Sequence, residues 1–268
     1  MVNKFDNKLR VKKRNRAFSL IELLITLSII SLLMGIAMPA LQHTRERSWQ
    51  MVCGSHLHQI GIALTNYASD NFDIIPREGL QGGARGLYAD TGNFLPWPEA
   101  LIQYMGTGDS LTSPVYKDPA HPNPNHFAQY VMNGISFRTD KQGEIIGYTG
   151  NRRGVSYAST IKRPSEIIYM TSFTDDPDNS IAKQVHSWNP AEAQSVYDVW
   201  LEIHLYGPDH GSNRIATNVR RIAWNRHGST NNVLHFDMHV SKMTKPQILD
   251  ENNWYDGVPR KGKDPQYP

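Results

Sequence analysis

Three polar residues near the carboxyl end of the chain have the types and spacing that could bind a metal ion. His235, Asp237 and His239 alternate with apolar residues between Val233 and Val240, the pattern of a β-strand with one buried face. A strand over Val233 to Val240 would place the three on one side, with His227 close by, and Zn²⁺ accepts such ligands. The simpler interpretation, which we favour, is an exposed polar face with a structural hydrogen bond between His227 and Asp237.

A short acidic run is the second candidate for a cation. Asp175, Asp176 and Asp178 lie close together, and carboxylate oxygens are ligands that Ca²⁺ prefers. The run lacks the spacing of a recognised calcium motif, so a solvated turn is the simpler interpretation. We find no Gly-rich phosphate loop and no convincing nucleophile elbow, and we expect no catalytic residue. We also expect no cofactor, with Ca²⁺ the exception if this run bound it.

Glu22 is the third candidate, because it is the single acid in the otherwise apolar stretch from Phe18 to Leu41. As an α-helix this stretch would span about 36 Å, enough to cross the roughly 30 Å hydrocarbon core of a bilayer. A carboxylate in that core costs about 2.5–3.5 kcal/mol, so Glu22 should persist there only with a partner.

Residues 1–17, which precede this stretch, form a basic leader. They carry seven of the chain's 28 Lys and Arg and one of its 25 acids, which leaves 21 basic against 24 acidic residues in the rest. A basic leader is expected to stay in the cytoplasm and send the remainder across the membrane. The rest of the chain is not basic, so we expect no nucleic-acid partner.

The sequence from Ala17 to Glu22, behind this leader, resembles the processing site of type IV prepilins and of the pseudopilins of type II secretion systems. In these families a membrane peptidase cuts before the Phe, the new amino terminus is methylated, and the Glu at mature position five pairs with the terminal amine of a neighbouring subunit. The resemblance implies cleavage between Ala17 and Phe18, methylation of Phe18 and an assembly role for Glu22. Ala17 replaces the usual Gly and is also small, so we still expect cleavage.

Two other interpretations of the N-terminal segment remain. A secretory signal peptide would be cut after the apolar run, where Gly35-Ile36-Ala37 offers small residues. An uncleaved signal anchor would keep the whole segment. Both leave Glu22 unexplained.

Beyond Pro39 the pattern becomes amphipathic without a loop signal, so the helix is predicted to continue to about Asp70. The chain contains one cysteine, Cys53, which allows no internal disulfide, and we expect it to be reduced and buried. It belongs to one apolar stripe with spacings of three and four residues: Trp49, Cys53, Leu57, Ile60, Leu64 and Tyr67.

Residues 53–76 resemble the helix end of a large group of pseudopilin-like proteins, in which the Cys often pairs with a later Cys-Pro. The nearest counterpart here is Lys117-Asp118-Pro119, which lacks the thiol. The spacing from His227 to Asp237 resembles the C-terminal His-x9-Asp-Gly signature of the same group. Met238 replaces the Gly, a residue that would permit a bulge or a positive φ.

We therefore predict an α+β, pilin-like fold. A long N-terminal helix, transmembrane in its first half and amphipathic in its second, packs on an antiparallel sheet. The expected parts are the leader, residues 1–17, the transmembrane half, 18–41, and a periplasmic globular domain, 42–268, that includes the helix half 42–70.

The resemblance implies a structural subunit of a type II secretion pseudopilus or a type IV-like pilus, not an enzyme. It implies processing by prepilin peptidase and assembly with other pilin or pseudopilin subunits. The chain would cross the bacterial inner membrane once, with its N-terminus cytoplasmic and its domain periplasmic or in an extracellular filament. The alternative is a membrane-tethered periplasmic enzyme or carbohydrate-binding module that uses the His/Asp strand.

Overall fold

The computed structural model describes residues 19–75, 97–106, 113–122, 128–148, 156–174, 198–199, 205–206 and 220–257. The chain divides into two compact units, of which the first ends at Arg45 and the second begins at Glu46. The acidic run at 175–178 and the residues on both sides of the predicted cleavage position lie outside the described residues.

A single long helix, α1, covers Leu20–Asp70 and confirms the predicted N-terminal helix. Ser19 and Glu22 begin it with a capping box. The Ile21 N–H donates to Ser19 Oγ at 3.3 Å, and the Ser19 N–H donates to Glu22 Oε2 at 3.0 Å. Pro39 lies inside the helix.

The strands are β1 Ile74–Ile75, β2 Tyr130–Asn133, β3 Phe137–Thr139, β4 Ile145–Tyr148, β5 Ser156–Tyr157, β6 Ile168–Ser172, β7 Asp198–Val199, β8 Thr230–His235 and β9 Val240–Thr244. A five-stranded sheet in the order β7-β2-β6-β8-β9 forms the centre of the globular unit. Its neighbouring strands are antiparallel except for β7, which runs parallel to β2. Two further pairs, β1 with β5 and β3 with β4, are antiparallel.

Short helices connect these strands. The α-helices are α2 (Trp97–Ala100) and α3 (Lys245–Leu249), and the 3₁₀ turns are Ile102–Tyr104, Pro114–Tyr116, Ala158–Thr160 and Glu251–Asn253. Together with the long helix and the largely antiparallel sheets, they give the predicted α+β, pilin-like layout.

The predicted apolar stripe of α1 is confirmed from Cys53 to Tyr67. Trp49 is only half-buried, but Cys53, Leu57, Ile60, Leu64 and Tyr67 are fully buried. Gly61 lets the helix approach the sheet, since a Cβ there would lie 3.1 Å from both Leu234 Cδ1 and Met238 Cβ. Residues 53–67 of α1 therefore form one wall of the core.

The prediction of one strand over Val233 to Val240 is wrong. β8 ends at His235, the chain reverses, and β9 returns beside it from Val240. Met238 makes the reversal with a φ of 67°, a left-handed conformation that usually requires Gly. The alternation of apolar and polar residues continued through the turn by coincidence, so the period-two pattern could not reveal it.

Candidate functional site

The first part of α1 exposes an apolar surface. Every residue from Ser19 to Leu41 is exposed in the isolated chain. The helix is long and apolar enough to cross a membrane. Water-soluble proteins bury an apolar surface of this size. In this protein, lipid or other chains must therefore cover it.

Glu22 is the one acidic side chain on this apolar part of the helix. Its carboxylate accepts the backbone N–H of Ser19 and is exposed. The bond completes the helix cap but leaves the negative charge without a cation among the described residues of this chain. Ala17 and Phe18, the predicted cleavage residues, lie outside the described residues.

The C-terminal histidines meet at the turn between β8 and β9, but their nitrogens do not converge. The rings of His235 and His239 stack with centroids 4.2 Å apart and planes 2° from parallel. His239 Nδ1 lies 2.5 Å from Asp237 Oδ1, whereas His235 Nε2 lies 2.7 Å from Ser241 Oγ. Ring nitrogens bind a metal in the plane of the ring, and two stacked rings direct their nitrogens along separate planes. This geometry does not favour a shared ion.

His235 is buried, contrary to the predicted exposed polar face. Burial, together with a smaller effect of His239 in the same direction, lowers the pKa of His235 to about 4. The predicted hydrogen bond between His227 and Asp237 is also wrong, because His227 instead approaches Asp118.

An open groove of about 430 Å³ lies beside this turn. Its described lining includes Asp73, Asp237 and Met238 but neither His235 nor His239. The groove therefore offers an enzyme or a carbohydrate-binding module little of the histidine chemistry that the sequence suggested.

A buried polar cluster surrounds Asp118, whose side chain is 0% exposed. Asp118 Oδ2 accepts the Ser172 hydroxyl at 2.8 Å and lies 3.7 Å from Cys53 Sγ. It also lies 3.8 Å from both Arg226 Nε and His227 Nε2. Asp118, which belongs to the Lys117-Asp118-Pro119 segment compared above with a later Cys-Pro, thus lies beside Cys53.

Two local bonds fix the Asp118 backbone and its second oxygen. The Asp118 N–H donates to Gln129 Oε1 at 2.7 Å, and Asp118 Oδ1 accepts the Ala120 N–H at 3.0 Å. Arg226 is held by its donation to the Phe173 carbonyl oxygen.

The Cys53 thiol and the His227 ring of the cluster are held neutral. Burial raises the pKa of the Cys53 thiol to about 12, and the Asp118 charge adds to that effect. Burial lowers the pKa of His227, which Asp118 only partly opposes. Sequence reasoning missed the roles of Ser172 and Arg226, since it assigned a polar contact to neither.

The comparisons with known proteins identify the N-terminal segment. The model of the family described as Prokaryotic N-terminal methylation motif matches residues 12–38. No curated protein and no solved structure matches the chain. The motif and the long apolar helix together fit a type IV prepilin-like or pseudopilin-like protein, anchored in a membrane and processed by prepilin peptidase.

Proposed function

We propose that this protein is a non-enzymatic filament subunit of a type II secretion pseudopilus or a type IV-like pilus. The observation that carries the proposal is the methylation motif at residues 12–38, which includes the exposed apolar start of α1 and Glu22. Prepilin peptidase removes residues 1–17, and Phe18 becomes the methylated first residue. The N-terminus of the precursor is cytoplasmic, and the globular unit lies in the periplasm or in an extracellular filament.

Assembly follows from the physics of the apolar segment. In a filament, the segments from Phe18 to Leu41 pack against one another, away from water. The Phe18 amine of one subunit and the Glu22 carboxylate of another then cancel two charges that an apolar bundle tolerates only as a pair.

Glu22 has a second role that any test must separate from the first. In the single chain it closes the capping box with Ser19. Gln at the same position also closes a capping box but carries no charge. Comparison of Glu22→Ala with Glu22→Gln therefore distinguishes the cap from the charge.

The experiment measures three properties of each variant: cleavage after Ala17, membrane fraction and the yield of crosslinked oligomers. We expect both Glu22→Ala and Glu22→Gln to insert and to be cleaved. Their oligomers should decrease at least tenfold, because an unpaired buried amine costs about 3–5 kcal/mol. Thr26→Val is the matched control, since it removes a polar group one turn later that donates only to the Leu23 carbonyl.

Two outcomes would contradict the proposal. Normal oligomers from the cleaved Glu22→Ala protein would show that the acid does not contribute to assembly. Normal oligomers from Glu22→Gln alone would reduce Glu22 to a helix cap and remove the charge pairing.

A further inference from the structure

The cluster around Asp118 brings together three different metal-ligating atoms. Cys53 Sγ, a carboxylate oxygen of Asp118 and a ring nitrogen of His227 all lie within 4.8 Å of one another, and all three residues are buried. They come from α1, from the segment after the 3₁₀ turn Pro114–Tyr116 and from the segment before β8. Thiolate, carboxylate and imidazole are each ligands of Zn²⁺.

A second observation points to a ligand at this position. The His227 side chain is only 2% exposed, and its buried Nε2 has no hydrogen-bond partner among the described residues. Its distance of 3.8 Å to Asp118 Oδ2 is too long for a hydrogen bond. A buried ring nitrogen without a partner requires an explanation, and a metal ion between the two atoms supplies one.

The distances between these atoms suit a tetrahedral ion. Ligand atoms about 2.0–2.3 Å from a zinc ion lie about 3.3–3.6 Å from each other. The observed distances are 3.7 Å from Cys53 Sγ to Asp118 Oδ2 and 3.8 Å from His227 Nε2 to Asp118 Oδ2. A contraction of a few tenths of an ångström would bring both of these distances to zinc spacing, and the third pair, Cys53 with His227, lies within 4.8 Å.

We propose that Cys53, Asp118 and His227 bind one divalent transition-metal ion of the Zn²⁺ type. The ion joins the packed half of α1 to two segments that lie 65 and 174 residues further along the chain. The chain has a single cysteine and so cannot form an internal disulfide. The bound ion would instead link these three segments of the described cluster.

Binding changes the charge of the cluster in a defined way. The Cys53 thiol gives its proton to solvent and becomes the thiolate ligand, while His227 binds as the neutral ring. The thiolate and the Asp118 carboxylate then balance the two charges of the ion. Arg226 Nε lies 3.8 Å from Asp118 Oδ2, so the guanidinium competes with the metal ion for the carboxylate. The affinity for the metal ion is therefore lower than it would be without Arg226.

The test uses the full-length protein in detergent, stripped with a chelator and titrated with Co²⁺. Cys53 is the only cysteine of the chain, so a thiolate-to-cobalt charge-transfer absorption can report only on this thiol. We expect one equivalent of Co²⁺ to produce that absorption, release one proton and be displaced by Zn²⁺. Absence of the absorption in the folded wild-type protein would overturn the proposal without the use of any variant.

The variants locate the ion. We expect Cys53→Ala to abolish the thiolate absorption and His227→Gln to weaken Zn²⁺ binding at least tenfold. His239→Gln, at the β8–β9 turn, should bind Zn²⁺ as the wild type does. Unchanged binding by a folded His227→Gln protein, or loss of binding in His239→Gln, would place the ion elsewhere and overturn the assignment.

Discussion

Two carboxylates of this chain have opposite environments. Glu22 is exposed, and the described residues give it a backbone N–H but no cation. Asp118 is fully buried and lies within 4 Å of the Arg226 guanidinium and the Ser172 hydroxyl. A buried carboxylate with these partners is stable within one chain, whereas Glu22 in an apolar medium needs a charge from another chain. We therefore expect Asp118 to stabilise the fold of one chain and Glu22 to stabilise the assembly of several chains.

Buried histidine makes stability dependent on pH. Burial lowers the pKa of His235 to about 4, while an unfolded chain protonates histidine near pH 6.5. Between these two values the unfolded state binds more protons, so the free energy of unfolding decreases as the pH falls from about 6.5 towards 4. Urea denaturation, followed by tryptophan fluorescence across this range, measures the decrease.

Single substitutions assign that decrease to its source. We expect His235→Gln to flatten the pH dependence, although His227, whose pKa burial also lowers, should leave a residual slope. His58→Gln, on the exposed side of α1, should leave the dependence as it is in the wild type. An equal slope in the His235→Gln protein would show that His235 is not the buried neutral group described above.

The spacing of apolar residues predicted which residues of α1 are buried, but not which polar groups contact them. The stripe from Cys53 to Tyr67 followed from helical periodicity, and burial of the single cysteine followed with it. The contacts of Asp118 with His227 and Arg226 join segments more than 100 residues apart, and periodicity carries no information about such pairs.

At the scale of elements, a local sequence pattern was enough to predict α1 but not the β8–β9 turn. The helix is specified by a continuous pattern and a capping box. The turn depends on Met238, which has no turn preference yet adopts a φ of 67° beside α1. The strand prediction failed there because the period-two pattern ignores backbone conformation, and the one hint of a positive φ was the Gly that the resembling signature has at position 238.

At most positions an Ala variant is more stable than a Gly variant, and we expect the opposite at Met238. Both Met238→Gly and Met238→Ala lose the side-chain contacts, but only Ala keeps the left-handed strain. We expect the Gly variant to be more stable than the Ala variant by about 1 kcal/mol. Urea denaturation of the two proteins measures the difference.

Lys242 is the matched control for this comparison, because it is exposed on β9, where the backbone is extended. There Gly should be less stable than Ala. A Met238→Gly protein less stable than Met238→Ala would contradict the strained turn.

At the scale of the whole molecule, the two units have different tasks. The unit that ends at Arg45 contains the membrane segment, and the unit that begins at Glu46 contains the sheet and the core. The core residues of α1 begin at Cys53, so the globular unit keeps its own wall of the core without the membrane segment.

We expect a fragment of residues 42–268 to be soluble, folded and monomeric. It retains the buried stripe and every strand that the structure describes, and it lacks the exposed apolar surface that requires a cover. Circular dichroism and light scattering test the fold and the mass. Filaments formed by this fragment alone would show that assembly does not depend on the N-terminal segment.

The N-terminal segment could be interpreted from sequence because its chemistry is local. The proposed cleavage, methylation and charge pairing involve a short contiguous run, which lies within the matched motif at residues 12–38. In the globular unit, the resemblances that contain Cys53 and His227 did not indicate that these residues meet, since the buried cluster is assembled from distant segments.

The most direct test of the account is mass spectrometry of the mature protein isolated from membranes. Prepilin processing predicts a chain that has lost residues 1–17 and begins with N-methylated Phe18. An intact chain that begins at Met1, or a chain cut after the apolar run near Ala37, would contradict it. Either result would leave Glu22 without a neighbouring Phe18 amine and remove the basis for assembly through α1.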